Sequence, residues 1–123
     1  MNLVGLIGRV VRPVELQSVG DTVVLNNTLA VQNIHKSNDE GINAEFIPFV
    51  AWGKVAQRIK DYVEKGHKIG VSGHLNTRSY TNKQNQQVFV MEVVVEDVFF
   101  LEARRPKDMM DNPFVDKQKV ESD

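Results

Sequence analysis

Val55-Ala56-Gln57-Arg58-Ile59-Lys60-Asp61-Tyr62-Val63-Glu64-Lys65-Gly66 is the stretch where the period of this chain changes. Val55, Ala56, Ile59, Tyr62 and Val63 fall at i, i+1, i+4, i+7 and i+8, which is one face of a helix. Lys54, Arg58, Lys60, Asp61 and Glu64 lie mostly off that face, and Lys60 and Lys65 read as solvated. Gly66, between Lys65 and His67, is a natural C-terminal stop. The segments on either side read as strands.

Before the helix, residues 3–11 form a first strand containing Gly5 and Gly8. Glycines inside a strand mark a bulge, a bend or close backbone approach, which suits a small, strongly curved sheet. Arg12-Pro13 interrupts it, and Val19-Gly20-Asp21-Thr22 reads as a turn. Residues 23–32 form a second strand and residues 33–43 a polar loop or flexible hairpin. Residues 45–52 form a third strand, with Phe46, Pro48 and Val50 on one face and Ile47, Phe49 and Ala51 on the other. Pro48 predicts an edge or bulged position. After the helix, residues 69–75 are strand-like and run into a basic, aromatic tip, Thr77-Arg78-Ser79-Tyr80-Thr81. The polar hairpin Asn82-Lys83-Gln84-Asn85-Gln86 then leads to a long strand over residues 87–101.

Three strands, a helix and two strands define an all-β class: a five-stranded barrel with one α-helix between strands three and four, the oligonucleotide/oligosaccharide-binding (OB) fold. The barrel domain is expected over residues 1–103. Beyond it the chain stays polar, so residues 104–123 read as a disordered acidic tail. The chain has 123 residues, no cysteine and a net charge of −1. One modest core is within reach of that length. Without cysteine there is neither a disulfide framework nor a thiolate metal site, which fits a reducing compartment. No signal peptide and no apolar run of membrane-spanning length are read, so a cytoplasmic protein without membrane association is expected. The charge divides unevenly: residues 108–123 carry −3 and residues 1–107 about +2. Such a body gives little long-range steering, so any nucleic-acid affinity must come from local patches and stacking.

Arg78 and Tyr80 stand two residues apart in a strand and therefore share a face. A guanidinium that pairs with a phosphate beside a ring that stacks on a base is the pairing a sequence-tolerant single-strand binder needs. Trp52, followed by Gly53 and Lys54, reads as a surface end of its strand. Phe46, from alternation alone, reads as core. Phe49, Phe89, Phe99 and Phe100 are assigned to core or subunit contact. Both faces of the last strand are rich in Val and Phe, and the face outside the barrel calls for a partner subunit. His35, His67 and His74 are scattered without carboxylates at ligand spacing, so no metal is expected. Glu92 and Glu96 share a strand face by parity and read as exposed acids. No nucleophile turn or phosphate-cradling loop occurs, so neither catalysis nor a cofactor is expected. A rival reading is an OB-fold protein-interaction adaptor of a replication or primosome complex.

Six segments together resemble the bacterial and phage single-stranded DNA-binding proteins. They are Leu3-Val4-Gly5-Leu6-Ile7-Gly8-Arg9 with Pro13 and Glu15; Thr28-Leu29-Ala30-Val31; Ala44-Glu45-Phe46-Ile47 with Trp52-Gly53-Lys54; Tyr62-Val63-Glu64-Lys65-Gly66; Gly73-His74-Leu75 with Thr77-Arg78-Ser79-Tyr80; and residues 88–101. They cover roughly residues 2–102 in order. The resemblance implies sequence-independent binding and protection of single-stranded DNA in replication, recombination and repair by a homotetramer. It is expected in a bacterial cytoplasm at the nucleoid, or in a host cytoplasm if phage-encoded.

The resemblance also implies stacking at four places: His35, Phe46, Trp52 and Tyr80. His35 departs from the Trp or Phe usual there and offers a smaller surface. Phosphates are expected on Arg78, Arg9, Lys36 and Lys54, with Arg12 and Lys83 as further cations. Members of the family commonly recruit replication and recombination proteins through an acidic tip closing on Pro-Phe. Here Asp111-Asn112-Pro113-Phe114 is followed by residues 115–123. That departure fits a phage-encoded or accessory member.

Overall fold

The computed structural model describes residues 1–33 and 43–102. His35, Lys36 and the acidic tail lie outside them. The elements run β1 (Val4–Val10), β2 (Gln17–Val19), β3 (Thr22–Gln32), β4 (Ala44–Trp52), α1 (Gly53–Tyr62), β5 (Lys68–Thr81) and β6 (Gln87–Phe100). Strand order is β1-β5-β6-β4-β3-β2, and β1 also pairs with β3. Five strands thus close into a ring, β1-β5-β6-β4-β3, with α1, the one helix among the described residues, between β4 and β5, which is the OB arrangement. The additional short strand, β2, pairs Gln17 with Val24 and Val19 with Thr22. It extends β3 outside the ring.

The ring closes because the strand faces alternate and the inward residues are branched apolar ones. Leu25, Leu29, Phe49, Ile59, Ile69 and Val93 are fully buried, each contributing about 1.5–3 kcal/mol. Ala56 and Ile59 fasten α1 over the core. The helix ends at Tyr62, with Val63 N–H donating to the Ile59 carbonyl. Gly66, expected as its stop, instead lies in the turn into β5 and donates its N–H to the Val10 carbonyl. Lys60 is not merely solvated: its ammonium donates to the Val14 carbonyl at 3.0 Å and ties the helix to the segment after β1.

Two glycines are required by close approach. A Cβ on Gly8 would stand 2.6 Å from the Ala30 carbonyl oxygen, at the seam where β1 meets β3. A Cβ on Gly73 would stand 1.8 Å from the Val94 oxygen. There the β5–β6 register slips: Ser72 faces Asp97 while Gly73 faces Val95, so Glu96 is the extra residue of a bulge. Counting in twos across the bulge fails. Glu92, grouped with Glu96 by parity, is buried, whereas Glu96 and Asp97 are both exposed. Phe49 is core as expected, and Phe100 packs on the core against Tyr62, ring centroids 5.1 Å apart. Phe89 and Phe99 are exposed and contribute nothing to the core.

Candidate nucleic-acid interface

β4 carries Phe46 and Trp52 on the face opposite Phe49 and Ala51, and strand register extends that face across the sheet. Phe46 lies opposite Ala30, Pro48 opposite Thr28 and Trp52 opposite Val24. Ala30 in turn lies opposite Arg9 of β1. Across the other side of β4, Val50 faces Val94 of β6, and two-residue periodicity brings Glu92, Val90 and Val88 onto the same face. Their β5 partners are Asn76, Arg78 and Tyr80. One outer sheet face therefore carries Arg9, Phe46, Trp52, Arg78 and Tyr80. Alternation alone would have placed Phe46 in the core; it is 65% exposed, with Trp52 at 46% and Tyr80 at 48%.

Trp52 ends β4 in extended backbone and stands at the N-terminal boundary of α1 without a side-chain cap bond. Lys54 follows on the exposed first turn. Tyr80 and Arg78 sit on a two-stranded arm, where β5 and β6 pair beyond the ring from Asn76↔Glu92 to Thr81↔Gln87. The root of the arm is held by Asn2, whose side chain donates to the Leu75 carbonyl at 2.9 Å and accepts from Leu75 N–H at 2.8 Å. Its tip is held by Asn82 Oδ1, which accepts from the N–H groups of Gln84 and Gln86.

Between the arm and the ring lies a groove of about 260 Å³ lined by Arg12, Asn26, Thr28, Pro48, Arg78 and Glu92 among others. Arg12 is placed there by Asn27, a residue the sequence reading passed over. Asn27 is 4% exposed. Its Oδ1 accepts from Arg12 N–H at 3.1 Å and Thr28 N–H at 2.7 Å, and its Nδ2 donates to the Arg12 carbonyl at 3.1 Å. Arg78 Nε donates to Glu92 Oε2 at 3.3 Å.

Arg9 occupies the same face but is engaged. Its guanidinium meets Glu102 Oε1 at 2.8 Å and Oε2 at 3.3 Å, and donates to the Gly66 carbonyl. That hydrogen bond is the main reason the Glu102 carboxyl lies below the ordinary value of 4.5, against the opposing effect of partial burial; Lys68 adds to the lowering. A phosphate at Arg9 competes with Glu102 for both terminal nitrogens. His74, also on β5, meets Glu96 at 2.7 Å. Among the described residues no group of three His, Cys, Asp or Glu side chains could hold a metal. Among the same residues no helix is long and apolar enough to cross a membrane.

An open sheet face with three exposed aromatics, bordered by a groove with two arginines, stands on a closed ring of strands, and the class is an OB-fold module. The Single-strand binding protein family model matches residues 1–101, and the chain belongs to that family. A single-stranded DNA-binding protein of Streptococcus pneumoniae is 42% identical over 105 residues, covering 85% of this chain and 67% of that protein. Single-stranded DNA-binding protein 2 of Clostridium acetobutylicum is 43% identical over 104 residues, covering 83% and 77%. Among solved structures, a Plasmodium falciparum SSB complex with ssDNA superposes with a TM-score of 0.74 at 23% identity, covering 83% of this chain and 96% of that one. That likeness bears on the fold.

Proposed function

We propose that this protein binds single-stranded DNA without regard to sequence and protects it during replication, recombination and repair. Bases stack on Trp52, Phe46 and Tyr80, with His35 as a fourth platform, and phosphates pair with Arg78, Arg12, Lys54 and Lys36. Arg9 joins once Glu102 releases it. The observation that carries this reading is the exposure of three aromatic rings on one sheet face of a family member. The exposed part of such a ring gains nothing from burial in the free protein, whereas each stacked base contributes about 1–3 kcal/mol. The reading needs no catalytic step.

The acting unit is a homo-oligomer, a tetramer by the family resemblance. Its support is a second apolar surface, where Ile7, Phe99 and Leu101 border a hollow of about 460 Å³ with Gly5 and Gly70. A cytoplasmic setting and partner recruitment by the acidic tail belong to the same proposal.

Trp52 is the single tryptophan, so its emission reports the site directly. Poly-thymidine is expected to quench it, and Tyr80→Ala and Trp52→Ala are each expected to weaken binding by about 1–3 kcal/mol without unfolding. Four phosphate contacts give a log–log salt slope of about −2.8, with substantial affinity left at high salt. Unchanged emission and affinity on addition of poly-thymidine would refute the reading and favour a protein-interaction adaptor.

A further inference from the structure

We infer that Glu92 is a positioning residue for phosphate binding: its buried carboxylate holds Arg78 by Nε, so that the two terminal nitrogens face the groove. The inference rests on the proposed role of Arg78 as a phosphate ligand.

Glu92 interrupts a row of valines. Val88, Val90 and Val94 share its face of β6, and the residue is only 7% exposed. A carboxylate in such a place gives up hydration, and an apolar residue would serve the fold as well or better. Its partner explains the choice. Arg78 lies opposite Val90 and so is the diagonal cross-strand neighbour of Glu92, within reach of a long side chain. The contact is made by Nε at 3.3 Å, and the Arg78 side chain remains 52% exposed. Among the described residues, neither terminal nitrogen has a protein acceptor. Held at Nε, the guanidinium keeps four of its five N–H groups in a planar fork, the geometry that grips phosphate oxygens in pairs. Both residues line the groove with Arg12.

Three effects were possible for this carboxylate: presenting the arginine, holding it back from DNA, or simply bracing the hairpin. Contact at Nε alone, with the fork left open, favours presentation. Sequestration would engage the fork, as Glu102 does with both terminal nitrogens of Arg9.

The test measures single-strand affinity against salt for the full-length protein and Glu92→Leu, Arg78→Ala, Arg78→Lys and the double variant Glu92→Leu/Arg78→Ala. Glu92→Leu is expected to keep or raise the melting temperature while losing about tenfold in affinity, the size of one charge-assisted hydrogen bond. Its salt slope should shrink by about 0.7, one phosphate contact. The double variant should bind like Arg78→Ala alone. Arg78→Lys should also lose the full contact, because an ammonium drawn to Glu92 has no fork left to offer. That variant keeps the test open should Glu92→Leu fail to fold. A Glu92→Leu protein that binds DNA as well as or better than the parent, with an undiminished slope, overturns the inference alone, as does an Arg78→Lys protein that binds normally. An Arg78→Ala protein with unchanged slope overturns both this inference and the assignment of Arg78 to phosphate.

Discussion

Asn27→Ala removes a 4%-exposed side chain that satisfies three backbone groups at short range: Arg12 N–H, Arg12 C=O and Thr28 N–H. A fourth contact, to the Pro13 carbonyl at 3.4 Å, is marginal. Alanine supplies neither donor nor acceptor. A buried polar group left unsatisfied costs about 1–3 kcal/mol. The bonds here are only part-buried, so the lower end applies to each, and water recovers some of the loss. The expected destabilisation is therefore about 2–4 kcal/mol, a large share of a typical 5–15 kcal/mol total. Urea unfolding monitored by circular dichroism, at fixed protein concentration because assembly shifts the midpoint, reads it out. Asn27→Asp keeps the acceptor but turns a carboxylate oxygen toward the Arg12 carbonyl, so it should recover only part of the loss. Arg12 also lines the groove, so single-strand affinity should fall by more than in an equally destabilised core variant. A loss below about 0.5 kcal/mol, the ordinary range of surface substitutions, would refute the view that Asn27 anchors the crossing from β1 toward β3.

Gly73→Ala drives a methyl group to 1.8 Å from the Val94 oxygen, a backbone atom that cannot swing aside; thermal denaturation should show a loss of about 3 kcal/mol or more, and a normal melting curve would mean the bulge is malleable. The lowered Glu102 pKa means the native state binds fewer protons than the unfolded chain, so its contribution is present above about pH 4.5 and fades as pH falls through the lower native value. Glu102→Gln should thus melt earlier than the parent at pH 7, the gap closing toward pH 3. A gap that widens in acid would contradict that sign.

The ring of strands and the position of the helix were legible because each rests on periodicity: two in the strands, 3.6 in residues 55–63. What escaped depends on contacts between distant residues. β2 is three exposed residues, Gln17, Ser18 and Val19, whose only claim to be a strand is pairing with β3. The bulge at Glu96 shifts the faces of β6, so no count along the sequence reveals that Glu92 is buried and Glu96 exposed. Arg9 looked available because nothing local pairs with it; its carboxylate is ninety-three positions away. Tyr80 and Trp52 were readable from polar neighbours, Gly53 and Lys54 for Trp52, whereas Phe46 was ambiguous until pairing with Ala30 fixed its side.

The first strand has its longer pairing late in the chain: beyond the short seam with β3, Val4 pairs with Gly73 and Gly8 with Ile69. A chain emerging residue by residue from a ribosome cannot complete this circle until β5 and β6 have been made, so β1 must wait with the backbone N–H and C=O groups of one edge unpaired. Topologies dominated by such distant pairings fold slowly. The nascent protein therefore passes through an interval of vulnerability to aggregation, and its yield in a cell should depend on temperature and chaperone supply more than its final stability suggests.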